Sequence, residues 1–326
     1  MRRRDFITLL GGATTAWPPS VLAQASLKIA RVGFLGLAPA SGWAGEIAAL
    51  RAGLRELGYV EGKNIVLEFR WAEGVGELPR LAAELVRMNV DIIVAPASTQ
   101  VEPARQATRT IPIVFAQHAD PVGTGHVLSL AHPGGNITGV SMVLTELAAK
   151  GLEILKQALP RATRIGILSN PTTPSHVKVV SEVEVAAKIL GLQLLMTPVR
   201  TIDDFDPVFS LMKRERADGF LVPPSPLTNS QPVLLAELAL QYGLPGMFGN
   251  KDNVKAGGLM SYGADFNYMY RHAAIYIDKI LMGEKPSDLP VEQASKYDLV
   301  LNLKTARALG LDIPPTVLAR ADEVIE

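Results

Sequence analysis

The stretch Ile29-Ala30-Arg31-Val32-Gly33-Phe34-Leu35-Gly36, followed by an amphipathic run over 46–57 and then by Asn64-Ile65-Val66-Leu67-Glu68-Phe69-Arg70, sets the pattern from which the fold is read. Each outer segment is a short apolar, β-branched run of strand length, and the middle one places Ile47, Leu50, Leu54 and Leu57 on one helical face. Gly58 follows, where a left-handed C-terminal cap is wanted. The same alternation continues with strand candidates at 91–97, 111–116 and 136–141 and with a helix at 77–88 built on Leu78, Leu81, Ala82 and Leu85. Strands that alternate with amphipathic helices predict an α/β fold with a parallel sheet.

A second series repeats the alternation without repeating the sequence. Its strands fall at 164–169, 192–199, 218–223 and 245–249, and its helices at 146–159, 176–190, 203–214 and 231–242. Two α/β series of similar size predict two similar lobes. The remainder (Gly257 to Gly263, a helix at 267–282, and Tyr297 to Leu301) has no place in a complete second series. It reads as chain that returns to the first lobe and crosses between lobes more than once. The expected division is 26–143 plus about 260–295 for lobe 1 and 144–259 plus 296–326 for lobe 2, with the hinge near 142–145 and 257–265.

The N-terminus reads as an export signal. Arg2-Arg3-Arg4-Asp5-Phe6-Ile7 opens an apolar stretch, Phe6 to Ala16, too short to span a bilayer, and Ala23-Gln24-Ala25 suits signal peptidase after Ala23 or Ala25. A twin-arginine signal over 1–25 is expected, with a Sec signal or a retained anchor helix as the alternative. Removing those residues takes Lys+Arg from 32 to 29 and Asp+Glu from 32 to 31, a net charge near −2. That balance gives no electrostatic footprint for nucleic acid. The chain has no cysteine, which excludes disulfides, thiol catalysis and a lipid anchor on a processed N-terminal Cys. A periplasmic, freely diffusing monomer is expected.

Catalytic patterns are few. The five histidines form no HExxH or other close ligand pair, and neither a GxSxG elbow nor a GxxxxGK[ST] phosphate loop occurs. No metal and no cofactor are expected. Gly134-Gly135-Asn136-Ile137-Thr138-Gly139 lacks dinucleotide spacing and precedes a strand, so it reads as a turn. Asp203, Asp204 and Asp206 open a predicted helix and read as a cap.

In open α/β sheets ligands sit beyond the carboxyl ends of the strands, so the loops there are the candidates. Ser41 and Trp43 follow the first strand, and Trp43 is either a wall for a planar ligand or a packing residue. Ser98-Thr99-Gln100 begins a helix after the third strand, where hydroxyls and free backbone amides suit a carboxylate, or cap the helix. Gln117 and Asp120 follow the fourth strand, and Asp120 can accept from a ligand ammonium or close its own turn. Asn170, Ser225 and Asn250 end the strands of the second series, and Tyr262 and Asp265 lie at the expected hinge.

A series of local motifs, in order, carries a resemblance. They are Leu57-Gly58-Tyr59-Val60-Glu61-Gly62-Lys63-Asn64-Ile65, Trp71-Ala72-Glu73, Ile111-Pro112-Ile113-Val114-Phe115 leading to Asp120-Pro121-Val122, and His132-Pro133-Gly134-Gly135-Asn136-Ile137-Thr138-Gly139. Ser169-Asn170-Pro171, Tyr262-Gly263, Asn302-Leu303-Lys304-Thr305-Ala306 and Ala319-Arg320-Ala321-Asp322-Glu323-Val324-Ile325 complete it. Over nearly all of the mature chain the sequence resembles the ABC-transporter substrate-binding proteins of the tryptophan/tyrosine-binding group. The resemblance implies two Rossmann-like lobes of the type I periplasmic-binding-protein kind joined by a multi-strand hinge. It also implies a small ligand, an amino acid or related carboxylate, trapped between the lobes and handed to ABC permease subunits in the membrane. The alternative is an exported enzyme on a doubly wound fold; a sugar-repressor relative is disfavoured by a signal where a helix-turn-helix would stand.

Overall fold

The computed structural model describes residues 29–37, 40–142 and 144–326; the expected signal over 1–25 and its cleavage points lie outside the described residues. Chain order in the first half is β1 (Ala30–Leu37), α1 (Ala44–Glu56), β2 (Ile65–Ala72), α2 (Leu78–Arg87), β3 (Ile92–Val94), α3 (Ser98–Ala107), β4 (Ile113–His118) and β5 (Ile137–Ser141). Then come α4 (Leu144–Ala158), β6 (Arg164–Ser169), α5 (His176–Ile189), β7 (Gln193–Pro198), α6 (Phe205–Arg214), β8 (Gly219–Val222), α7 (Pro226–Asn229), α8 (Pro232–Tyr242) and β9 (Gly246–Phe248). The chain ends with α9 (Lys251–Lys255), β10 (Met260–Ala264), α10 (Phe266–Leu281), β11 (Glu292–Gln293), β12 (Tyr297–Asn302), α11 (Leu303–Ala308), α12 (Pro315–Leu318) and β13 (Glu323–Ile325).

Two sheets result, of order β11-β5-β4-β3-β1-β2 and β13-β12-β10-β9-β8-β6-β7. All pairings are parallel except β10 with β12. The inner strands are buried on both faces, Ile92, Ile93, Val94 and Ile113 to Ala116 completely, which accounts for their unbroken apolar runs, while the edge strands β2, β7 and β13 stay half-buried or exposed. Gly58 takes φ +88 one residue beyond the C-cap of α1, as its position in the sequence requires. Thr201 and Asp204 form a reciprocal capping box ahead of α6, so that acidic cluster is a helix start.

The chain passes between the sheets after Met142, at 264–266 and at 294–296. The strand at 260–264, expected with the first lobe, instead belongs to the second sheet. Met260 and Ser261 are buried there because β9 and β12 hydrogen-bond to β10 on both edges. The return to the first sheet is made by α10, which packs along α1 and over β4. Its residues Met269, Tyr270, Ala273, Ala274 and Ile277 share one apolar cluster with Phe34, Leu50 and Val114 of the first lobe and Leu152 and Met260 of the second.

A register shift in β4 between Phe115 and His118 re-aims the end of that strand toward the gap between the sheets. Gly139 on β5 makes it possible. Its φ is +146, and a Cβ there would lie 2.0 Å from the Phe115 carbonyl oxygen. Gly139→Ala should therefore lose about 2–4 kcal/mol of stability, read as a lower urea midpoint at unchanged slope.

Candidate functional site

Carboxyl-end loops of the two sheets face each other and are in contact. The lining of the gap alternates between lobes: Ala97, Ser98, Gln117, Ala119 and Met142 from the first, Thr173, Ser175, Pro224, Ser225, Pro226 and Asn229 from the second. The space they leave measures only about 10 Å³, so the lobes are shut. Between neighbouring loops of both lobes lies a larger cavity of about 860 Å³, bounded by Leu37, Trp71, Glu73, Asn170, Arg200 and Leu227. A third concavity, of about 690 Å³, runs along α1 and β2 of the first lobe alone. It does not adjoin the strand ends of the second lobe.

Hydroxyls and carboxamides without partners occur in the lining of the small interlobe gap, at Gln117 and Thr173, and on the first turn of α3 next to Ser98, at Thr99 and Gln100. Thr99 Oγ1, both terminal atoms of Gln100, Gln117 Oε1 and Thr173 Oγ1 are buried and make no hydrogen bond. Leaving such groups dry and unpaired costs roughly 1–3 kcal/mol each, so a set clustered in one region is a signature of a ligand-binding surface. Ala97, not Ser98 or Thr99, is the N-cap of α3, and no side chain caps it. The hydroxyls of Ser98 and Thr99 are thus not spent on capping, and the first amides of the helix have no intrahelical acceptor. An anion is favoured at such a place by dipole and donors together.

The other residues singled out by the sequence are placed as follows. Ser41 is exposed. Trp43 is 1% exposed, donates Nε1–H to the Leu37 carbonyl at 2.8 Å, and packs against Phe34 and Trp71. Of the two roles open to Trp43, packing is the one it fills. Asp120 accepts from Gly123 N–H at 2.8 Å and from Lys178 Nζ at 2.8 Å across the gap. Asn170 Oδ1 accepts from the backbone and hydroxyl of Thr172. Ser225 caps α7, Asn250 caps α9 and Asp265 caps α10, and Asp265 also pairs with Lys251 at 2.7 Å. Tyr262 leans on Tyr297 near the crossover strands. Ser98, Gln117 and Ser225 are thus brought together, whereas Ser41, Asn250, Tyr262 and Asp265 stand outside the gap.

Sequence reasoning missed Thr173, Ser175 and Asn229 as members of the set. Their signal was present, since Thr173 and Ser175 follow β6 as Asn170 does, but a turn-rich Pro-Thr-Thr-Pro-Ser run hides it. It also missed the buried histidines. His176 is 2% exposed, with Nδ1 accepting from Asn170 N–H at 3.0 Å and Nε2 donating to the Pro224 carbonyl at 3.0 Å. It thereby ties the loops after β6 and β8 into one surface.

Among the described residues no group of three or more His, Asp or Glu is arranged to hold a metal ion. No helix of the described residues is long and apolar enough to cross a membrane.

This geometry has relatives. The family model of ABC transporter substrate binding proteins matches residues 44–325, and the chain belongs to that family. A tyrosine-binding protein of Clostridioides difficile is 27% identical over 261 residues, 79% of this chain and 74% of that protein. A conserved domain protein of Vibrio cholerae superposes with a TM-score of 0.85 at 29% identity, covering 91% of this chain and 100% of its own. An ABC domain of Streptococcus pneumoniae solved in complex with L-Trp superposes with a TM-score of 0.83 at 26% identity, covering 91% and 99%. The chain is therefore by family an ABC transporter substrate-binding protein, and two of these relatives are described by an amino acid they bind or hold, tyrosine and L-Trp.

Burial pushes His176 down to about 4. The unfolded chain takes up a proton near 6.5 and the folded chain does not, so the contribution is complete above pH 6.5 and is lost as pH falls toward 4. Against a His176→Gln variant, wild-type stability should drop by up to about 3 kcal/mol more between pH 7 and pH 4, read by urea unfolding at each pH.

Proposed function

We propose that this chain is the solute-binding component of an ABC importer that captures an amino acid with an aromatic side chain in the interlobe gap and delivers it to permease subunits. The reading is supported chiefly by the closed gap whose lining includes the unpartnered Gln117 Oε1 and Thr173 Oγ1, with Thr99 and Gln100 unpartnered on the first turn of α3 beside Ser98. The names of two relatives, one tyrosine-binding and one holding L-Trp, support the choice of ligand.

In this reading the ligand carboxylate lies at the first turn of α3, against the hydroxyls of Ser98 and Thr99. Its ammonium group donates to Gln117 Oε1. Asp120, whose carboxylate is already held by Gly123 and Lys178, is not needed there. The aromatic ring extends toward the 860 Å³ cavity beside Leu37, Trp71 and Leu227. That volume lies within the range of small-molecule sites, roughly 300–1,000 Å³. The domain division is 26–143 with 266–293 for one lobe and 144–265 with 297–326 for the other, hinged where the chain crosses. The protein is exported by a twin-arginine signal, is cleaved after Ala23 or Ala25, and works in the periplasm as a monomer without a lipid anchor. The basic and apolar start of the sequence supports the route, and the absence of cysteine supports the lack of an anchor.

The test is thermal and chemical unfolding of the signal-free protein with L-tryptophan, L-tyrosine, L-phenylalanine, their des-amino acids and a set of free sugars. At 100 times its Kd the correct ligand stabilises by about 2.7 kcal/mol. L-Tryptophan or L-tyrosine should do so, and the des-amino acids less. Thr99→Val should weaken binding roughly 10-fold, because it removes one hydrogen bond to a charged group. Stabilisation by a sugar and by no amino acid would overturn the ligand class.

A further inference from the structure

The gap between the lobes is bridged at its rim by an ion pair, Lys178 Nζ to Asp120 Oδ2 at 2.8 Å. Asp120 sits on the turn that leaves β4 in the first lobe, and Lys178 on the first turn of α5 in the second. We infer that Asp120 and Lys178 form a clasp that holds the two lobes closed and sets how long a ligand stays between them.

The Asp120 side is built for this one position. Its other carboxylate oxygen accepts from Gly123 N–H at 2.8 Å, and its own N–H donates to His118 Nδ1 at 3.2 Å. Its carbonyl accepts from Thr124 Oγ1 at 2.8 Å. A Cβ at position 123 would lie 2.1 Å from Asp120 Oδ2, so only glycine leaves room for the carboxylate where it meets the lysine.

His118 is fixed in turn. With Nδ1 as acceptor its proton is on Nε2, which donates to His126 Nδ1 at 2.7 Å, and His126 Nε2 then donates to Glu102 on α3 at 3.1 Å. The turn that carries the clasp is thus hydrogen-bonded to the helix whose first residues line the ligand gap. Lys178 is held by nothing comparable: its side chain is 55% exposed, against 14% for Asp120. One partner is rigid and the other is free to swing away, which suits a contact that forms on closure and breaks on opening. The only other side-chain hydrogen bond across the gap among the described residues is the longer Ser98–Ser175 hydroxyl contact, 3.4 Å.

The clasp rests on the two-lobe binding reading, and its test has an arm that needs no ligand. The chain lacks cysteine, so dyes on cysteines introduced at the exposed Met282 in the first lobe and Ile189 in the second report lobe closure by energy transfer. The wild-type closed fraction without ligand should fall as NaCl rises from 0.05 to about 1 M, since an exposed pair is screened. In Lys178→Met and in Asp120→Asn it should start lower by about threefold in closed-to-open ratio and lose its salt response, and Lys178→Arg should restore both. Gly123→Ala should behave as Asp120→Asn. With L-tryptophan bound, the off-rate should rise by the same factor. A Lys178→Met protein as closed and as salt-sensitive as wild type would overturn the clasp. Failure of wild type to bind any aromatic amino acid would overturn the proposed ligand instead, and the ligand-free arm would still decide this proposal.

Discussion

The molecule depends on the desolvation of hydroxyl and carboxamide groups where two parallel sheets present their carboxyl ends to each other. Thr99, Gln100, Gln117 and Thr173 are buried and have no hydrogen-bond partner within the protein in the closed form. At roughly 1–3 kcal/mol for each such group, an empty closed gap is expensive. In the proposed function the same groups bond to water when the lobes open and to the ligand when they close on it, so the ligand contributes the free energy that closure lacks.

The remaining architecture keeps that gap reversible. The chain crosses between sheets at three places, and α10 returns to pack on α1, so the lobes are joined by three crossings of one chain. His176 ties two loops of the second lobe, and the His118–His126–Glu102 series ties the β4 turn of the first lobe to α3. Each lobe thus presents a preorganised face, and the order is internal to each lobe rather than shared between them. Burial holds His118 and His126 below the ordinary histidine range, and the Arg105 hydrogen bond keeps Glu102 down at about 2. The series is neutral at its core and anchored by a charge at its end.

Much of the fold was legible because its physics is local. β1, β3 to β6, β8 and β9 are apolar runs almost wholly buried, and α1, α2, α5 and α6 show their buried stripes at spacings of three and four. The short pieces were not legible. Glu292–Gln293 and Glu323–Ile325 are strands only because β5 and β12 offer edges to them, and β10 was placed with the wrong sheet because nothing within its five residues names its neighbours. At the site, Ser98, Gln117 and Ser225 were named from their position after strands, and that topology does bring them to one gap. Asp120 was named on the same ground, but its pairing with Lys178 could not be read, because that partner lies 58 residues away on a helix face that otherwise reads as solvent-exposed. Trp43 was ambiguous for a related reason. An indole suits a ligand wall and a core equally, and only the Leu37 carbonyl at 2.8 Å shows that its polar edge is already satisfied.

The most direct measurement is a crystal structure of the signal-free protein grown with L-tryptophan. The account predicts the amino acid between the lobes, its carboxylate at Ser98, Thr99 and the first turn of α3, its ammonium at Gln117 and its ring toward Leu37, Trp71 and Leu227. Tryptophan seated instead in the groove of α1 and β2, with the interlobe groups still unpartnered, would contradict it.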